Sequence, residues 1–293
     1  MKKIIFLSLL FTGFVFANIN TVVSILPEKT FVEAIGGDKV NVSLMVLPGN
    51  SPHTYEPKPS QMKDVAQASL YFAIGVEFEN VWLPKFRDLN PKMQVIDLGK
   101  NIDKRMMTEG DNDHGTSHMH EGHEHHGKDP HIWTAPENVK IIAKNIYSAL
   151  IKVDPDNSAY YKKNYQAFLS LVENTDAQIR KILKNIPKNT KFMVFHPSWG
   201  YFAQAYGLVQ LPVEVAGKEP KPRELVQLIK EAKKEHVKAI FTQPEFSDNI
   251  ARVMATELHI KVVKVSPLSA DWSNNLIGIA HAIAASDQKN NEN

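Results

Sequence analysis

The sequence predicts an α/β fold of two lobes, each a mostly parallel four-stranded sheet flanked by helices, with one long rigid helix between them. Three observations predict it. Eight short β-branched or apolar runs fall into two sets of four, with segments of helical spacing between them. Strands that alternate with helices form βαβ units, and βαβ units pair in parallel. The run 157–185 contains neither Gly nor Pro and separates the two sets. The chain is also longer than one hydrophobic core usually serves, which favours two domains.

The first element is a leader. Lys2 and Lys3 precede an apolar run over 4–16, and Ala17 with Val15 forms a small-residue cleavage site, so residues 1–17 read as a secretory signal peptide. The run is too short for a membrane anchor, which needs about 20 apolar residues. The first lobe, 18–156, has predicted strands at 20–26, 40–47, 69–74 and 94–98. Residues 108–128 are rich in Gly, Asp, Glu and His and cannot bury a core, so they are expected to form a mobile loop. After it, Thr134 and Glu137 stand at capping-box spacing with Pro136 in the first turn of a helix.

The linking helix is predicted over 157–187, where Tyr161, Phe168, Leu171, Val172, Ile179, Ile182, Leu183 and Ile186 keep near-helical spacing. Such a helix permits a small tilt of the lobes and resists a wide swing, because bending breaks i to i−4 hydrogen bonds. The second lobe, 188–285, has predicted strands at 191–195, 207–215, 237–242 and 260–265. Between them Leu225, Leu228, Ile229 and Ala232 mark a helix opened by Glu219-Pro220-Lys221-Pro222. The tail 286–293 is polar and expected to fray.

Composition narrows the function. Cysteine is absent, so there is no disulfide, no thiolate metal site and no lipid-modified cysteine after the leader. No other stretch is apolar enough to insert in a bilayer. Losing Lys2 and Lys3 brings the 34 basic side chains level with the 32 acidic ones, which argues against nucleic acid or an anionic membrane as partner. The expectation is a soluble monomer outside the cytoplasm, in a bacterial periplasm, not lipid-anchored.

The histidines carry the chemistry. In open parallel sheets, ligands bind beyond the carboxyl ends of the strands. His53 follows the run ending near Leu47, His196 ends the run 191–195, and Asp271 lies past the run ending at Val265. His131 sits just ahead of the helix announced by Thr134. All four can converge on the cleft between the lobes, and imidazole is the commonest zinc ligand. His236 and His259 lack such context and read as ordinary residues; Trp133, Trp199 and Tyr55 read as packing that holds the ligand loops.

The strings Pro52-His53-Thr54-Tyr55-Glu56-Pro57, Asp129-Pro130-His131-Ile132-Trp133 and Phe195-His196-Pro197-Ser198-Trp199-Gly200-Tyr201-Phe202, with a His-rich insert between them, resemble the zinc-binding components (ZnuA family) of bacterial zinc ABC importers. The likeness covers nearly all of the mature chain. It implies two α/β lobes joined by one long helix, Zn2+ as transported ligand, an ABC permease as partner, and His53, His131 and His196 as the nitrogen ligands. Relatives often place an acidic residue shortly after the last strand, so Asp271, Glu245 in Gln243-Pro244-Glu245, or water completes the set.

Three imidazoles and an oxygen suit zinc, whereas manganese prefers carboxylate; manganese and iron relatives carry an acidic residue where His196 stands. His114, His118, His120, His123, His125 and His126, with Asp111, Asp113, Glu121 and Glu124, are expected to collect zinc weakly, because a flexible segment is not preorganised. Competing readings are a manganese- or iron-binding member of the same superfamily, a periplasmic zinc buffer, and a zinc hydrolase. The chain has no His-Glu-x-x-His and no nucleophile elbow, which argues against an enzyme.

Overall fold

The computed structural model describes residues 18–107, 127–214, 218–237, 239–245 and 247–288. The leader over 1–17, the six histidines of the insert with their acidic neighbours, and residues 289–293 of the tail lie outside the described residues.

The first sheet is built from β1 (Ile19–Val23), β2 (Val40–Leu44), β3 (Leu70–Ala73) and β4 (Gln94–Asp97), with helices α1 (Leu26–Gly36), α2 (Pro59–Gln67) and α3 (Glu77–Leu89) in the crossovers. Its order is β2-β1-β3-β4, and every pair is parallel. Two helices follow, α4 (Pro136–Val153) and α5 (Ser158–Ile182). The second sheet repeats the topology with β5 (Lys191–Val194), β6 (Val209–Pro212), β7 (Ala239–Thr242) and β8 (Lys261–Lys264), in the order β6-β5-β7-β8, all parallel. Helices α6 (Gly200–Tyr206), α7 (Pro222–Lys234) and α8 (Asn249–Leu258) connect it, and α9 (Trp272–Gln288) follows.

In each sheet the chain runs one way from the first strand and then crosses to its other side. This creates a switch point, and a crevice, at the carboxyl ends of β1 and β3 and of β5 and β7.

All eight predicted strands are present, each shorter than its apolar run. The surplus residues, among them Ile25, Val46, Ile74, Leu98 and Val265, are buried at the carboxyl edges, where Val46, Leu98 and Val265 still donate a last backbone hydrogen bond to the adjacent strand's chain. Leu26, predicted as strand, starts α1 instead: Pro27 occupies the first turn and Glu28 Oε2 accepts from the Ser24 and Ile25 N–H groups. The linking helix stops at Ile182, short of 187. Pro187 disfavours helical geometry at the residue before it. The Thr134 capping box does not form. Ala135 is the N-cap of α4, and the Thr134 hydroxyl donates to the His131 carbonyl at 2.9 Å instead, across a 3-10 turn over Ile132–Thr134.

The helices between and after the sheets tie the molecule together. Phe31 of α1 lies 5.3 Å from the Phe168 ring of α5 and 5.7 Å, edge-on, from Trp272 of α9. Thr175 of α5 and Ser273 of α9 share a hydrogen bond of 2.7 Å. One contiguous buried cluster therefore runs from Val23 in the first sheet to Phe192 and Phe241 in the second, and a smaller one with Met193, Ile240 and Met254 fills the second lobe.

Candidate metal centre

His196 stands two residues beyond β5, His53 in the loop between β2 and α2, and His131 at the entrance to α4. The fold brings all three together. Nε2 of His53 and Nε2 of His196 are 3.3 Å apart, with ring centroids at 4.9 Å, and the His131 and His196 centroids are 5.3 Å apart.

Each ring is held from behind by a carboxylate on Nδ1. His131 Nδ1 lies 2.8 Å from Asp129 Oδ1, His196 Nδ1 lies 2.7 Å from Glu214 Oε1, and His53 Nδ1 lies 3.1 Å from Glu77 Oε2. An Nδ1–H that donates to a carboxylate leaves the Nε2 lone pair free, so these contacts select the ligating tautomer and aim it. Asp129 Oδ1 also accepts from the His131 backbone N–H at 2.9 Å, which fixes ring and backbone together.

The environments differ. His131 and His196 are buried at 6% and 7% exposure, while the His53 side chain is 32% exposed. Burial pushes the His196 pKa down, against the pull of Glu214. Burial also acts to lower His53, but the hydrogen bond and charge of Glu77, with the charge of Glu214, outweigh it and raise the value. Glu77 responds in kind: burial works upward, and the bond and charge of His53 bring its carboxyl down to about 2.

Two buried carboxylates brace the first lobe's share of the site. Glu79 accepts from the N–H groups of Ile74 and Gly75 and from the Ser24 hydroxyl, holding the turn that presents Val76 and Glu77 to the cavity. Glu28 closes the neighbouring turn. Burial raises the pKa of both, and their mutual repulsion raises Glu28 further.

The rings open on a cavity of about 370 Å³, part of it open to solvent, with an apolar wall of Val76, Trp133, Pro267 and Leu268 and a polar wall of Ser198, Gln243 and Glu245. Glu245 takes a 3.4 Å hydrogen bond from Ser266 Oγ, and burial raises its pKa. Asp271 is not brought to this group: it is exposed, and its carboxylate accepts from the Asn274 N–H at 3.4 Å and side chain at 2.9 Å, capping α9 away from the cavity.

Trp133, Trp199 and Tyr55 are buried, and the Trp133 indole donates to the Pro267 carbonyl at 2.7 Å. His236 and His259 adopt positive φ just beyond α7 and α8, an end-of-helix role. Among the described residues, no group of three or more His, Cys, Asp or Glu side chains is already arranged to hold an ion, since the rings lean on one another instead. The partners Glu77, Asp129 and Glu214 escaped sequence reasoning. Only Asp129 left a signal, two residues before His131; Glu214 is 18 residues from its histidine.

Two parallel sheets facing each other by their carboxyl edges, bound by a common helical layer and lined there by imidazoles, define a bilobed α/β binding protein. The sequence matches the family described as "Zinc-uptake complex component A periplasmic" (ZnuA) over residues 21–284. The high-affinity zinc uptake system protein ZnuA of Bacillus subtilis (strain 168) is 30% identical over 255 residues, 86% of this chain and 79% of that protein. The manganese ABC transporter substrate-binding lipoprotein scaA of Streptococcus gordonii is 28% identical, over 84% of this chain and 77% of its own. A crystal structure of a ZnuA superposes with a TM-score of 0.82 at 41% identity, covering 92% of this chain and 98% of that one. The chain belongs to the ZnuA family of periplasmic zinc-uptake components.

Proposed function

We propose that this protein captures Zn2+ in the inter-lobe cleft through His53, His131 and His196 and delivers it to the membrane permease of an ABC importer. One observation carries the reading: three imidazoles from distant parts of the chain line one cavity, each with a carboxylate at Nδ1, and the Nε2 atoms of His53 and His196 meet there. Two nitrogens bound to one tetrahedral zinc at 2.0–2.1 Å stand about 3.3 Å apart, which is the separation of the His53 and His196 nitrogens. Without metal, two lone pairs at that distance repel unless a proton lies between them, and the hydrogen bond and charge of Glu77 raise the His53 pKa in the direction that favours one. An ion between the two nitrogens removes that repulsion, and His131 is the third nitrogen of the set.

The fourth position falls to Glu245 or to water, since Glu245 lines the cavity and Asp271 does not. Zinc is favoured over manganese because imidazole nitrogen outnumbers oxygen among the facing groups; the manganese transporter relative makes manganese the second reading. The protein is read as a carrier and not a hydrolase, because the carboxylates on the rings are engaged with imidazole Nδ1 and the chain carries no His-Glu-x-x-His and no nucleophile elbow.

The lack of cysteine leaves no residue for a lipid-modified cysteine anchor. Among the described residues, no helix is long and apolar enough to cross a membrane. The histidines of the insert act as a weak collector. Its described neck, where Met106 and Lys128 pair in antiparallel, lets the segment leave and return at one point.

Metal analysis of the purified mature protein, followed by chelator-competition titrations with Zn2+ and Mn2+, tests the proposal. One tight zinc per chain that a large excess of Mn2+ fails to displace is expected. Preference for manganese would overturn the choice of metal. Zinc-limited growth of a deletion strain, with and without the permease genes, tests delivery: growth indifferent to the deletion counts against transport.

A further inference from the structure

The neck of the His-rich insert does more than close a loop. Its two sides pair through Met106 and Lys128, and the Asp129 N–H donates to the Arg105 carbonyl at 2.9 Å. The second lobe grips the neck through α6: the Tyr201 hydroxyl accepts from the Arg105 N–H at 3.1 Å and donates to the Asp129 carbonyl at 2.9 Å. The Arg105 guanidinium lies over the Tyr201 ring, 6.0 Å from its centroid. It also packs so closely on Gly200 that a Cβ there would stand 2.6 Å from Arg105 Nη1 and 3.0 Å from Asp129 Oδ2. Gly200 is four residues from His196, and Asp129 is the carboxylate on His131, so this contact joins the loops of both buried imidazoles.

Asp129 is 1% exposed, and its Oδ2 has no hydrogen-bond partner. Arg105 Nε stands 4.0 Å from that oxygen. A buried carboxylate without a nearby cation is costly and tends to turn toward water. We infer that Arg105 is a positioning residue for zinc binding: its guanidinium keeps the Asp129 carboxylate on the His131 ring, and its seat on Gly200 and Tyr201 sets the separation of His131 from His196. This rests on the reading that these histidines bind the ion. Arg105 touches no metal; it acts through Asp129. It also places the root of the insert in mechanical contact with the site.

The test uses the full mature protein carrying Arg105→Gln, Arg105→Lys, Gly200→Ala or His196→Ala, each titrated with Zn2+ against a chelator and with Co2+ by its visible spectrum, alongside thermal melts without metal. Arg105→Gln is expected to weaken zinc about threefold to tenfold, below or at the low end of what loss of a group bonded directly to a ligand costs. It should also change the Co2+ absorption, with Arg105→Lys recovering most of both.

Gly200→Ala keeps every charged side chain but its Cβ, 2.6 Å from Arg105 Nη1 and 3.0 Å from Asp129 Oδ2, forces the two groups to shift, and should weaken zinc in the same direction. Unchanged zinc and Co2+ behaviour in Arg105→Gln overturns the inference, as does a loss shared by Arg105→Lys and matched by a fall in melting temperature. If Arg105→Gln does not fold, wild-type affinity in Gly200→Ala overturns it instead. His196→Ala separates the two levels. Loss of zinc there with wild-type binding in Arg105→Gln rejects Arg105 alone, whereas retained zinc in His196→Ala rejects the underlying site.

Discussion

The imidazole cluster has two banks, one buried and one exposed, and they are held differently. On one, His131 and His196 are buried and backed by carboxylates exposed by 1% and 8%. On the other, His53 is backed by Glu77, whose side chain is 43% exposed, and sits in a loop beyond β2. The buried pair is held before the ion arrives, so little ordering remains for binding to fund. The exposed one is in contact with water and carries a proton more readily. On the proposed reading, the buried bank anchors the ion and the exposed one admits and releases it.

Predictions that break or sharpen this contrast rank by size. His196→Ala removes a ligand from the buried bank and should weaken zinc by at least about a hundredfold, more than loss of any group behind the ligands; chelator competition measures it, and an unaltered dissociation constant would remove His196 from the site. Next come the carboxylates. Glu214→Gln should cost about tenfold to a hundredfold and Glu77→Gln about threefold to tenfold, because solvent can replace the exposed partner. Equal losses in the two variants would erase the distinction between the banks.

The third concerns pH. The His53 pKa is raised, so its proton competes with the ion first as pH falls, beginning above the ordinary value of about 6.5. Burial shifts His196 the other way, so its proton competes later. Zinc affinity should therefore drop between pH 7.5 and 5.5, and Glu77→Gln should move the drop to lower pH. Linkage gives the matching sign for folding without metal. His53 adds stability that is complete below its unfolded value and disappears as pH rises through the raised folded one. Calorimetric titrations across that range showing one constant affinity would contradict the assignment.

Smallest are the changes outside both banks. Deleting 111–126 should lower zinc stoichiometry and spare the tight site, because the Met106 and Lys128 pairing holds the neck closed. Asp271→Asn should leave zinc binding alone, since the carboxylate serves α9. A measurable loss of affinity in Asp271→Asn would return that residue to the site.

Much of this was legible in the chain. The apolar runs located eight strands, because the interior strands β1, β3, β5 and β7 are mostly buried and the edge strands still turn apolar residues inward. His53 and His196 stood out because each ends or follows a run that closes at a carboxyl edge, and His131 because it stands just ahead of a helix start. Asp271 misled for the same reason: its place after β8 is right for a ligand, but a short acidic side chain one residue before a helix is drawn to the free N–H groups of the first turn. Glu77, Asp129 and Glu214 were hidden because a carboxylate that orients a ring needs only to be near it in space, and no spacing announces that.

The sequence by itself determined the strand and helix pattern, the two-lobe repeat and the type of ligand, since these follow from local periodicity and side-chain chemistry. Only the tertiary structure decided which carboxylate stands behind each imidazole, that Asp271 turns away, and that Arg105 meets Gly200. Those facts depend on how two sheets and a layer of helices pack, and packing joins residues that the chain keeps far apart.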